Sequence, residues 1–340
     1  MPSLTPARNA LWQGLPGGPT VRARLQSALG LIIVLAIALA TSPRASDGSL
    51  VFLDPGNLTD ILRQVSVIGI LSLGMTFVIL TAGIDLSVGS LLALSSSTVA
   101  LILTRSIFPW PTAWAITAAA ILAIAATALV GFANGLVIAR LRIQPFIATL
   151  ATMIGVRGLA RSITSNANID IGFGTDSASR FSQALSSKTV VIGSFAVLAA
   201  LLSVLLTRTV FGRYVRAVGD NEKAALYAGL PIGRVKIWAY TMSGLLAGYA
   251  GLLHTAQNHQ GSPNAGISYE LEAIAAVVIG GTHLAGGRGS IGGTIVGTLI
   301  VGVLTNILRL NNVDSNLELI VKAVIIVAAV WLQQRGGERS

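Results

Sequence analysis

The chain has 340 residues, of which 53% are hydrophobic and only 11% charged, and its mean hydropathy is +0.76. A soluble domain carries about a quarter of its residues as Asp, Glu, Lys or Arg, so this composition excludes a water-covered exterior and predicts an all-α, polytopic membrane protein in contact with lipid. The net charge of +10 is read as arginines on cytoplasmic loops and not as a nucleic-acid surface, and the absence of cysteine excludes disulfides and thiolate metal sites.

A helix that crosses a bilayer needs roughly 20 mostly apolar residues. In chain order, about ten such spans are predicted: 25–42, 60–80, 86–104, 113–139, 144–164, 189–207, 237–257, 269–283, 291–310 and 316–332. They form one transmembrane domain over 25–332, between an N-terminal tail (1–24) and a C-terminal tail (333–340). The first span has a second reading: Arg22 and Arg24, followed by an apolar run ending in Ala38-Leu39-Ala40, have the form of a signal peptide with its cleavage site. The many spans that follow favour its retention. Residues 166–187 are small, polar and Gly/Ser-rich, and are expected as an external loop.

Basic residues set the orientation of a polytopic chain. With the N-terminus inside, the cytoplasmic segments hold Arg8, Arg22, Arg24, Arg140, Arg142, Arg208, Arg213, Arg216, Lys223, Arg234, Lys236, Arg288, Arg335 and Arg339, which is 14 of the 23 Lys and Arg residues. The other side balances nine basic residues against nine acidic ones. Both termini are therefore expected in the cytoplasm, together with 208–236, the only long basic segment between apolar runs. Asp220 is placed to cap a helix of about two turns over 221–228, and Gly229 with Pro231 supplies its stop. A short capped helix in a polar insert is a docking surface through which a soluble motor can push.

Asp85, in T-A-G-I-D-L-S-V-G, is the one acid read as lying in or beside the membrane core between the second and third spans. A carboxylate at that depth costs about 2.5–3.5 kcal/mol on insertion scales, so it needs a partner or a cavity. It either caps the third span or lines a path. A related run, V-V-I-G-G-T-H-L-A-G-G-R, follows 198 residues later and matches G-x-x-L-x-x-G; it is either the trace of a duplicated half or a chance similarity of Gly-rich helix ends. The G-x-G-x-x-G at 287–292 lies in a short turn between two apolar helices, with no strand before it, and is not a dinucleotide site. Gly289, Gly293 and Gly297 instead fall four apart, as do Gly131/Gly135 and Gly244/Gly248, a spacing that lets helix backbones approach closely.

His254 and His259 are five apart and share no helix face, so no metal site is expected. Arg157 and Arg161 lie one turn apart near an external end, either snorkelling to headgroups or meeting a soluble partner or substrate. Lys322 follows Glu318 by four residues and is expected as a surface pair. Asn134, Gln144, Thr149, Asn306 and Asn311 are uncharged hydrogen-bonding groups in or near spans, suited to a sugar path or to interhelical bonds. No P-loop, nucleophile elbow or zinc-protease motif occurs, so any energy from ATP must come from another chain, and an enzyme is not expected.

Five ordered stretches carry a resemblance: G-M-T-F-V-I-L-T-A-G-I-D-L-S-V-G-S (74–90), N-G-L-V-I-A-R-L-R-I-Q-P-F-I-A-T-L (134–150), G-R-Y-V-R-A-V-G-D-N-E-K-A-A-L-Y-A-G (212–229), Y-E-L-E-A-I-A-A-V-V-I-G-G-T (269–282) and G-G-R-G-S-I-G-G-T (286–294). Over about 57–332 the chain resembles the permease subunit of ribose-type sugar ABC importers. The resemblance implies a bacterial inner-membrane subunit that binds no cofactor itself. A periplasmic sugar-binding protein delivers a monosaccharide, a second permease subunit, identical or paralogous, completes the path, and a cytoplasmic ATPase uses ATP and Mg. It further implies that 222–229 is the coupling helix, with Asp220, Glu222, Ala224, Ala225 and Gly229 contacting the ATPase and the two alanines permitting close docking. Asp85, Ser87, Asn134, Phe146, Thr149 and Asn306 are the candidate path residues. Ala82 stands where a second glycine is common in the family, and His283 where a small polar residue is usual. Related permeases carry branched-chain amino acids or nucleosides, which is the first alternative. An ion-coupled secondary transporter is the second, and it requires paired membrane carboxylates.

Overall fold

The computed structural model describes residues 19–105, 112–174, 176–314, 316–325 and 327. Most of the tails at 1–24 and 333–340, and the end of the last expected span, lie outside them. The apolar runs become helices: α1 (Pro19–Thr41), α2 (Pro55–Leu80), α3 (Val88–Thr104), α4 (Thr112–Arg140), α5 (Pro145–Ile163), α6 (Ser177–Ser186), α7 (Lys188–Arg208), α8 (Val210–Asp220), α9 (Glu222–Tyr227), α10 (Ile232–Asn258), α11 (Tyr269–Ile279) and α12 (Ile291–Leu310). Residues 316–325 are helical as well. Five of these helices, α2, α4, α5, α7 and α12, are long and apolar enough to cross a membrane, and α3 is a shorter apolar helix.

The centre is built from α2 and α10. Every residue of α2 from Val65 to Leu80 is buried, as expected of a helix that is apolar on all sides. α10 packs against α2, α3 and α4. Its approach to α4 is close because glycines face each other: a Cβ built on Gly131 lies 3.1 Å from the Gly244 Cα, and one on Gly135 lies 2.6 Å from the Ile237 Cα. α4, α5 and α7 form the rim and present Leu129, Ile154, Leu201 and Val204 outward, a surface suited to lipid. α1 joins through Ala38, which is fully buried with Phe52, Ile61, Val65, Val303 and Ile307.

Three expectations change. The eighth span is not a full crossing: α11 has 11 residues, about 16 Å of helix against a hydrocarbon core of about 30 Å. The chain before it runs back along α3. Gly261 lies against Ser96 and Ala100, the Ser262 amide bonds the Ser96 hydroxyl at 3.2 Å, and Gly266 lies against Gly89. That descent covers about 16 Å of α3, and the breakers Gly261, Pro263 and Gly266 keep it out of helix. Second, segment 166–187, expected as a loop, contains structure. Ile169–Asp170 (β1) pairs antiparallel with Gln260–Gly261 (β2), and Asp176 caps α6 by accepting from the Ser179 amide at 3.0 Å. Third, 208–236 holds two helices, α8 and α9, because Thr209 caps the first one at Gly212.

Candidate functional site

Segment 81–87, between α2 and α3, is the most densely bonded polar region of the buried interior. α2 ends in a left-handed turn, with Ala82 at φ +60° and the Gly83 amide bonding the Val78 carbonyl at 3.1 Å. Glycine adopts that conformation without strain and alanine does not, so Ala82 is a strained residue at this turn. The end of α11 repeats the geometry: Gly281 has φ +89°, and the Thr282 amide bonds the Val277 carbonyl at 3.1 Å. These equivalences are 199 residues apart, one more than the offset of the matched letters.

After the turn the chain climbs beside α10. The Ile84 carbonyl accepts from the Tyr240 and Thr149 hydroxyls, both at 3.3 Å. Asp85 is fully buried. One of its oxygens accepts from the Ser87 amide and hydroxyl, and the other from the Ser243 hydroxyl at 2.8 Å. Asn134 of α4 donates to the Ser87 hydroxyl at 3.1 Å and accepts from Thr152 of α5. The N-cap position of α3 is Ser87 and not Asp85; the carboxylate bonds the Ser87 amide one step earlier. Asp85, Ser87, Asn134 and Thr149 thus come together, but as a mutually satisfied network joining α3, α4, α5 and α10. Ser243, Tyr240 and Thr152, which complete it, carry no signal in the sequence beyond being polar residues in apolar helices.

The other two candidate path residues lie elsewhere. Phe146 is 52% exposed on the outer face of α5. Asn306 of α12 exchanges hydrogen bonds with Asn57 of α2, the shorter at 2.8 Å. Gln144 occupies the N-cap position of α5 without a capping bond, and Asn311 closes α12 on the Ile307 carbonyl. Gly289 precedes α12 and packs against Thr282, so it shares no helix face with Gly293 and Gly297. Those two do face α11, against Gly280 and Ala276.

The arginines and the late ion pair also depart from expectation. Arg157 donates to the Pro263 and Ala265 carbonyls at 2.9 and 2.6 Å, and Arg161 donates to the Asn264 side chain at 2.9 Å. Both bond the descending segment. Lys322 bonds Glu318 and also Glu272 of α11, each at 2.7 Å, and Arg309 lies 3.3 Å from Glu318. The Glu318 and Lys322 side chains are only 7% and 11% exposed, so this is a buried network and not a surface pair. Asp85 is accordingly not the only interior acid. His259 pairs with Ser182, and His254 lies edge-on to Tyr269.

The second feature is the α8–α9 corner. Asn221, and not Asp220, caps α9 by accepting from the Ala224 amide at 2.9 Å; Asp220 ends α8. Gly229 takes φ +75° and the Leu230 amide bonds the Ala225 carbonyl, the expected stop. Ala225 faces inward and is 4% exposed, so it anchors the helix and does not dock outward. Asn221, Glu222, Lys223, Ala224, Ala228 and Gly229 are exposed. Leu226 and Tyr227, which sequence reasoning passed over, are 61% and 88% exposed. Glu222 is held by Lys236 at 2.8 Å.

Comparison with known proteins matches these features to one family. Residues 57–330 match the model described as branched-chain amino acid transport system / permease component. The chain is 44% identical over 317 residues to the ribose import permease protein RbsC of Bacillus subtilis, covering 93% of this chain and 94% of that one. It is 41% identical over 316 residues to the Escherichia coli K12 protein of the same name, covering 91% and 93%. It is 38% identical over 314 residues to the fructose import permease protein FrcC of Rhizobium meliloti, covering 89% and 84%. Matched over residues 57–330, this multi-pass membrane chain belongs to the permease-component family of the branched-chain amino acid transport systems.

Proposed function

We propose that the chain is the path-forming, non-catalytic subunit of an ATP-driven importer of a monosaccharide, in a bacterial inner membrane with both termini in the cytoplasm. The observation that carries this reading is α9: a capped two-turn helix, anchored by buried Ala225, that projects Leu226 and Tyr227 into solvent beside an otherwise basic surface. Exposed apolar side chains on a rigid polar corner suit insertion into a groove on a soluble partner, and the chain has no P-loop of its own. The partner in this reading is an ABC ATPase, which uses ATP and Mg. A periplasmic binding protein and a second permease subunit complete the assembly. Relatives named for ribose and fructose import support sugar as the cargo. The family description keeps branched-chain amino acids as the alternative cargo.

The test is reconstitution of the chain with an ABC ATPase and a sugar-binding protein that co-purify with it from its native membrane, followed by uptake of labelled ribose, fructose and leucine. ATP-dependent uptake of a sugar is expected. The double variant Leu226→Ser/Tyr227→Ser should release the ATPase while leaving the permease folded; retention of the ATPase by that variant would remove α9 from the docking role.

A further inference from the structure

The entry to α9 rests on backbone alone. Gly219, two residues before the α9 cap, lies against the Leu80 carbonyl and the Gly287 amide, with no side chain between them. The Gly287 amide in turn bonds the Leu80 carbonyl at 3.1 Å, and a Cβ built on Gly287 lies 2.8 Å from the Asp220 Cα. Gly286 (φ +92°) touches Gly219 and the Ala82 amide. The end of α8, the turn after α2 and the turn after α11 therefore meet at one point. From Leu80 the chain leads within a few residues to Ile84, Asp85 and Ser87, and these bond α5 by two routes. One is the Ile84 carbonyl to the Thr149 hydroxyl at 3.3 Å, a proton shared with the Pro145 carbonyl at 2.9 Å, and the other, the shorter route, is Ser87 through Asn134 to Thr152. The opposite face of α5 presents Ala151, Gly155 and Gly158, all exposed, and both glycines have open space where a Cβ would be.

We propose that segment 80–87 is the relay between the α9 corner and α5, with Thr149, Asn134 and Thr152 as the positioning residues that make α5 follow it. This rests on the reading of α9 as the site pushed by an ATPase. Compliance is low at the input because three backbones touch directly, where side-chain rotation has nothing to absorb. At the output the link is a pair of part-buried hydrogen bonds, which hold geometry better than apolar contacts that slide. Direct contact between α5 and the α8–α9 corner is not needed, since a contiguous bonded route joins them.

The test uses the complete reconstituted importer and reads sugar moved per ATP hydrolysed. Thr152→Val is isosteric and removes the hydroxyl from Asn134. It should keep ATPase activity while sugar per ATP falls about fivefold, as fits the loss of one buried hydrogen bond, and Thr152→Ser should restore the ratio. The double variant Thr149→Val/Thr152→Val should lower it further. A purely structural role would lower the amount of assembled complex and both rates together, leaving the ratio unchanged. An unchanged ratio in both variants overturns the relay alone. Uptake by the unaltered protein that does not depend on ATP overturns the proposed function, and the relay with it.

Discussion

Asp85 separates a structural carboxylate from one that meets solute. Its oxygens accept from the Ser87 amide and hydroxyl on one side and from the Ser243 hydroxyl at 2.8 Å on the other, and the residue has no exposed surface. Asp85→Ala leaves three buried donors, the Ser87 amide and hydroxyl and the Ser243 hydroxyl, without that acceptor. At about 1–3 kcal/mol each, the loss is about 3–9 kcal/mol, enough to consume much of a marginal stability of about 5–15 kcal/mol. Asp85→Asn keeps an oxygen for Ser87 and turns its amide towards Ser243, whose hydroxyl accepts as readily as it donates; the expected cost is within about 1.5 kcal/mol, one ordinary hydrogen bond. The assay is thermal unfolding in detergent at a fixed scan rate, since membrane proteins often unfold irreversibly, alongside uptake in the reconstituted importer. The alanine variant should unfold far earlier than the asparagine variant, which should still transport. An asparagine variant as stable as the parent but inactive would refute the structural role, because only the charge would have been removed.

Other perturbations follow from single features. Ala82→Gly relieves a left-handed alanine, at roughly 1–2 kcal/mol, against the added chain entropy of glycine, at roughly 0.5–1 kcal/mol; a small rise in thermal midpoint is expected, and a fall would show that the turn is not strained. Lys322→Met strands the buried Glu318 and the half-buried Glu272. Breaking a buried pair costs about 3–5 kcal/mol, and the triple variant that also neutralises both glutamates should recover most of it. The Ser179 hydroxyl and amide hold Asp176 below the usual carboxylate range. With the folded value depressed, that contribution to α6 is complete above pH about 4 and is lost as pH falls through the lower folded value. Amide exchange across α6 measured through that acid range should rise in the parent and stay flat in Asp176→Ala.

Much of this protein was written along the chain. Composition alone required a lipid-facing exterior, because 11% charge cannot cover 340 residues in water. Runs of apolar residues placed α2, α4, α5, α7 and α12 to within a few residues, since each is long enough to decide its own state by burial. Glycine at 229 fixed the end of α9, because φ +75° is open to little else. What the sequence left undecided depended on neighbours far along the chain. The apolar content of 269–283 reads as a crossing, yet the helix that begins at Tyr269 stops at Ile279, and the segment before it packs back against α3. Alanines 224 and 225 are indistinguishable as letters, and the packing of α9 on α8 and α10 turns one inward and leaves the other exposed. Lys322 read as a surface residue because Glu272, 50 residues away, is invisible from its own helix. Hydropathy and turn chemistry are local and survive translation into a string. The partner of a buried polar group is a property of the folded chain, and only the tertiary structure supplies it.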